Sequence, residues 1–249
     1  QAVVSRRGTI DAFFYKVWSV VNPVFRHRRQ YQLQRECFDE LIATLEEGHV
    51  VVVPYFQERH TWDKLEEEEV RSQRRTHQST ATTTAIFPCP IFFRLNKVVW
   101  IYSFVVLSDD RAQGSAWVQH TFNKLLKTEI PTLLASVGAE SMSRVILYTD
   151  NCAKQFKYQH SFGWVADAPK FVNGSPGKRV HVEVHYCDGC HRNSLSDSDE
   201  AGVLKAYAES RVSTGQLVIQ SAVDLFEKLP KALSFDLREV TELEREAFK

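Results

Sequence analysis

The chain has 249 residues, 43% hydrophobic and 25% charged, a composition that excludes a disordered or fibrous protein and suits one sizeable domain with helical additions. Its 31 basic residues balance 31 acidic ones, so any grip on nucleic acid must come from local patches. No stretch reaches the ~20 apolar residues of a membrane span, and five cysteines, an odd number, make no disulfide framework. The expectation is a soluble, intracellular chain in a reducing compartment, nuclear in a eukaryote, with no membrane contact. A start at Gln1, without Met or a signal pattern, reads as a fragment.

Residues 8 to 47 read as helical, broken at Asn22-Pro23 and stopped by Gly48. Val50 to Phe56 is an unbroken apolar run, the mark of a strand covered on both faces. After a charged segment from 57 to 78 come two β-rich runs, Thr82 to Phe93 and Val98 to Leu107. Arg94 to Lys97 joins them as a tight connection, which predicts an antiparallel pair. Between 116 and 137, Val118, Phe122, Leu125, Leu126, Ile130, Leu133 and Val137 recur at helical spacing, with a bend or split expected at Pro131. Val145 to Tyr148 is a buried strand that ends on Asp150, and a helix is expected from 152 to 164. A Gly/Pro turn at 173–177, an alternating strand from Val180 to Tyr186 and a helix from Ser194 to Arg211 complete the succession.

Three meandering strands followed by crossover connections are the succession of an RNase H-like fold: an α/β domain with a mixed five-stranded sheet flanked by helices. The division expected is an N-terminal helical segment over 1–47, the RNase H-like domain over 48–215 and a C-terminal helical extension over 216–249.

Open α/β sheets place their chemistry at the carboxyl ends of strands, which makes Asp150 the first candidate for a metal or phosphate role. The alternative is that it only caps the following helix. Clamping a phosphodiester between divalent cations needs carboxylates from separate elements, and hard cations want oxygen ligands. Asp197, Asp199 and Glu200 lie near the start of the late helix, with Asp197 and Glu200 three apart on one face. They equally suit a helix whose first turn offsets the dipole behind a Ser196 cap.

Asp150-Asn-Cys-Ala-Lys-Gln-Phe-Lys157 resembles the "SDG-C/A-x-x-Q-F/Y-K" signature of transposon-derived, DDE-type transposase-like proteins. His191 to Asp197 is similar to the family's later "H-G-K-G-x-x-D" motif, keeping the His and the Asp. Phe104 to Asp110 and Arg71 to Gln73 also fit its pattern, so the resemblance spans roughly residues 48 to 210. It implies an RNase H-like domain that cleaves or joins DNA with Mg²⁺ or Mn²⁺ held by Asp150 and Asp197, His191 serving as a phosphate or proton-transfer contact. The family's first acid falls on Tyr55, which cannot bridge two metals; Glu58, or more faintly Asp63, would have to substitute. The resemblance therefore implies either an active enzyme or a non-catalytic, domesticated DNA- or protein-binding module.

DNA contacts are expected from Lys154, Lys157, Arg71, Arg74 and Arg75, and a second basic patch holds Arg26, Arg28, Arg29 and Arg35. Both patches also read as solvated helix faces. Cys187 and Cys190, with His185 and His191, have the spacing of a zinc knuckle, and Cys152 could join them. The rival is an ordinary turn at a strand's end, with His181 and His185 on the strand's polar side. Association of the chain with itself remains an open expectation.

Overall fold

The computed structural model describes residues 10–54, 60–61, 83–109, 114–150, 156–157, 159–172, 179–187, 200–217, 219–229 and 236–239. In chain order the elements are helix α1 (Ile10–Ala43), strands β1 (His49–Val52), β2 (His60–Thr61), β3 (Thr83–Leu95) and β4 (Val98–Ser108), and helices α2 (Ser115–Lys124) and α3 (Ile130–Ser136). They continue with β5 (Arg144–Asp150), α4 (Gln159–Asp167), β6 (His181–Cys187), α5 (Glu200–Ser213), α6 (Ala222–Lys228) and β7 (Asp236–Glu239).

The described strands lie in the order β6-β5-β1-β3-β4-β7, with β2 paired to the start of β3. β1, β3 and β4 form the antiparallel meander, while β5 and β6 add in parallel on the other side of β1. Leaving β2 and β7 aside, this is the RNase H-like arrangement. The first strand is central because its residues are apolar on both faces. Val50 and Val52 enter the core under α2 and α3, and Val51 and Val53 enter a second core with Phe38 of α1. A third cluster packs α5 and α6 on Ile86, Val105 and Leu107.

Local chemistry explains several element boundaries. Asn96 and Lys97 both adopt positive φ, the conformation of a two-residue hairpin turn, so β3 and β4 pair up to Leu95 and Val98. Pro131 has no N–H to give. The turn before it, Leu125–Glu129, opens into a π-helical turn in which Ile130 N bonds Leu125 O, and this turn divides the segment into α2 and α3 where the disruption was expected. Pro88 and Pro90 sit within β3 although an interior strand should reject proline. Pro90 O accepts from Val53 N at 3.0 Å, so both prolines turn their donor-less nitrogens toward β1 beyond Val52, where the ladder has ended.

Three expectations are corrected. The break at Asn22-Pro23 is absent, and α1 runs unbroken with Pro23 inside it. Ser19, whose carbonyl loses its helical partner to Pro23, is exposed, so that carbonyl can turn to water. The helix also stops at Ala43, short of Gly48. With φ at +77°, Gly48 instead aims the chain into β1, and a Cβ there would come within 3.1 Å of Ser143 Oγ. The C-terminal stretch, expected to be helical, contains α6 and then β7, which pairs in parallel with Phe104–Leu107 of β4. At four residues β7 is too short to show a strand period, and it covers what would otherwise be an open sheet edge.

Candidate functional site

β1, β5 and β6 run side by side in one direction, so their carboxyl ends form one rim of the sheet. Because β3 is antiparallel to β1, its first residues reach the same rim, as does the end of β4 at Ser108. Asp150 is the last residue of β5 and pairs in register with Cys187, the last residue of β6. The strand carrying Asp150 thus lies directly beside β1, the strand from which the first acid was expected.

The remaining acids and contacts are unevenly placed. Glu58, Asp197 and His191 lie outside the described residues, as do Tyr55, Asp63, Asp199, Cys152, Cys190, Lys154, Arg71, Arg74 and Arg75. Glu200 is the first residue of α5. Among the described residues no group of three His, Cys, Asp or Glu side chains is arranged to hold a metal ion. Cys187 is buried at the rim. His185 is exposed and directs Nε2 to Glu183 Oε2 at 3.1 Å, with its ring 6.2 Å from that of Tyr148.

Lys157 is exposed, and its Nζ lies 4.9 Å from the centre of the Tyr186 ring. The Tyr186 hydroxyl donates to Phe156 O at 3.2 Å, and burial raises its pKa. The segment that carries Phe156 and Lys157 is thereby pinned to β6 close to Asp150. Asp109, within the stretch that resembled the transposase pattern, takes a structural part. Its Oδ1 accepts from Ala222 N at 2.8 Å and from Thr84 Oγ1 at 3.4 Å, tying the rim end of β4 to the first turn of α6.

Beneath the rim, a narrow cleft runs between α2, α4 and the β5–β6 pair, lined by Gln119, Phe122, Thr149, Ser161, Trp164 and Tyr186 among others. Its interior of about 20 Å³ holds one water-sized guest. Two buried polar atoms among its lining residues, Thr149 Oγ1 and Gln119 Nε2, have no hydrogen-bond partner among the described residues.

Residue-type reasoning missed a charge cluster on β6. Glu183 receives a two-pronged contact from Arg144, at 2.8 Å and 3.0 Å, and lies 2.9 Å from His181 Nε2 as well as beside His185. The Arg144 hydrogen bonds, with help from His185, pull the Glu183 carboxyl down to about 2. The signal was the His-Val-Glu-Val-His alternation itself, which puts the three polar side chains on one face. It marked a polar face without revealing that Arg144, 39 residues away, would sit opposite.

Residues 34–246 match the family described as a domain of unknown function (DUF8701), and the chain belongs to that family. Among curated proteins, none matches. Among solved structures, the crystal structure of the N. crassa QDE-2 AGO MID-PIWI domains is similar at 15% identity and a TM-score of 0.31, covering 78% of this chain. The chain spans 45% of that protein chain's length. No described helix is long and apolar enough to cross a membrane.

Proposed function

We propose that this chain is a DDE transposase-like domain that acts on DNA at the rim where β1, β5 and β6 end. One observation carries the reading: Asp150, opening the stretch that resembles the transposase signature, ends the strand adjacent and parallel to β1. In this reading Asp150 and Asp197 hold Mg²⁺ or Mn²⁺, with Glu58 or Glu200 as the third carboxylate. This is an all-oxygen donor set of the kind hard cations prefer. When bound, such ions activate a water or a 3′ hydroxyl and offset the charge that builds on the phosphate. Lys154, Lys157, Arg71, Arg74 and Arg75 neutralise the DNA backbone, and His191 contacts the phosphate or moves a proton.

A second reading rests on Tyr55, which stands where the resemblance requires the first acid: a module that keeps DNA binding and has lost cleavage. Zinc at Cys187 and Cys190 would belong to this reading, and metal analysis of the purified protein against Cys187→Ser tests it.

Incubating the chain with labelled DNA duplexes and Mg²⁺ or Mn²⁺ separates the two. The first reading expects nicking or strand transfer that Asp150→Ala and Asp197→Ala each abolish, and that Tyr55→Asp increases. Binding without cleavage, even in Tyr55→Asp, selects the second. Cleavage that survives Asp150→Ala, or no binding at all, overturns the proposal.

A further inference from the structure

Contacts along α1 fix how it lies on the sheet. Ala43 O accepts from Arg94 Nη2 at 2.7 Å near the β3–β4 turn, the Phe38 ring lies 5.7 Å from Phe92 and 4.7 Å from Tyr148, and Gln34 O accepts from the Tyr148 hydroxyl at 3.1 Å. The helix therefore climbs toward the rim as its residue numbers fall, and Tyr148 is two strand residues, about 7 Å, short of the level of Asp150. Arg28 stands six residues beyond Gln34, about 9 Å farther along the helix, so α1 overhangs the end of β5. Charge changes sign at this level. From residue 36 to 47 the chain has five acids and no lysine or arginine; from 12 to 35 it has five lysines and arginines and no acid. The helix macrodipole favours the opposite order, acids ahead and bases behind, so helix stability does not account for the pattern.

We propose that this overhang clamps the phosphate backbone of DNA, an inference that rests on the proposed action at the rim. Arg28, Tyr31 and Arg35 precede Phe38 and Ile42 in steps of three and four, so they continue the face that seats α1 on the sheet. Arg28 and Arg35 are exposed, and Tyr31 is half-buried between them. Among the described residues no carboxylate pairs with Arg28. Arg35 Nε lies 4.0 Å from Asp39 Oδ2 with the side chains 71% and 67% exposed, a pair that water screens and a phosphate can displace. Seven residues, about 10.5 Å of helix, separate the two arginines, the rise of about three base pairs, so they suit two separate phosphates. Each planar guanidinium can give a phosphate two N–H bonds. Lys157 lies over Tyr186, which packs in the core on the opposite face of the sheet from Tyr148. Positive charge thus flanks the strand end from both faces.

Fluorescence anisotropy of a short labelled DNA duplex, read across a series of NaCl concentrations with the whole chain, tests the clamp. Arg28→Gln/Arg35→Gln should weaken binding about tenfold and lower the slope of log affinity against log salt by about two. Both arginines are exposed, so the circular dichroism of that variant should match the parent's. Lys97→Gln/Arg179→Gln removes the same charge from exposed positions at the opposite end of the sheet, and should leave binding within about twofold of the parent. Equal losses in the two variants, or a salt slope unchanged by Arg28→Gln/Arg35→Gln, would overturn the proposal. So would arginines that serve binding to anionic vesicles and not to the duplex. Asp150→Ala judges the site separately. A duplex held through Arg28 and Arg35 but still cleaved by Asp150→Ala keeps the clamp and removes the site, whereas cleavage lost in Asp150→Ala with binding indifferent to the arginines does the reverse. A chain that binds no duplex overturns both.

Discussion

At their amino ends β1, β5 and β6 are cross-tied. Gly48 O accepts from Ser143 N at 2.8 Å, Ser143 O accepts from His181 N at 2.9 Å, and Arg144 bridges from β5 to Glu183 on β6. At the carboxyl ends β5 and β6 finish on Asp150 and Cys187, beside a cleft in which two buried polar atoms have no hydrogen-bond partner among the described residues. One end holds the strands in register. The other is where the proposed site would lie, since open α/β sheets take their ligands beyond the carboxyl ends of the strands. The contrast teaches that, on the proposed reading, the two ends should respond differently to substitution: stability falls at one and activity at the other.

The largest effect is expected between the two ends, in the layer they share. Leu147, 1% exposed in the core under α2, is the residue whose truncation to alanine should cost about 3 kcal/mol, measured by urea unfolding. At the tied end, Gly48→Val should cost about 1–2 kcal/mol, since a β-branched residue must take positive φ and press on Ser143. A cost equal to that of an ordinary exposed glycine would show that the tie contributes nothing.

Next comes the ion pair, whose side chains are 24% and 36% exposed, so solvent screening limits it to about 0.5–1 kcal/mol. The Glu183 carboxyl is lower in the folded chain, at about 2, than in the unfolded one. Its contribution is therefore complete above the ordinary carboxylate range and lost as pH falls from about 4 toward 2. The fall in unfolding free energy over that window should be shallower in Glu183→Gln than in the parent. The smallest effect on stability belongs to the rim: if Asp150 serves the proposed site rather than capping a helix, Asp150→Ala should stay within about 0.5 kcal/mol of the parent. A large destabilisation would mean that Asp150 is a structural cap, the alternative that its sequence left open.

The strands that carry the site were legible because each is a run of apolar residues with a clear stop: Val50 to Val53, Val145 to Asp150, and the alternation before Cys187. The meander was legible from a short polar link between two β-rich runs. The Arg144–Glu183 bridge was not, since nothing local to either residue announces a partner on another strand. Pro23 also misled, because the cost of a proline depends on what surrounds it, and this one lies in an exposed stretch of helix.

By itself, the sequence determined which segments are apolar, where they stop and which residues stand at those stops, since burial leaves a periodic imprint on a single segment. Strand order was decided only in three dimensions. Nothing in Val145 to Asp150 names β1 and β6 as its neighbours, because pairing depends on residues far apart in the chain competing for the same backbone hydrogen bonds. The same holds for α1, whose sequence carries apolar residues in both its halves. Only packing reveals that Phe38 and Ile42 have found the sheet while Phe13 to Phe25 have not.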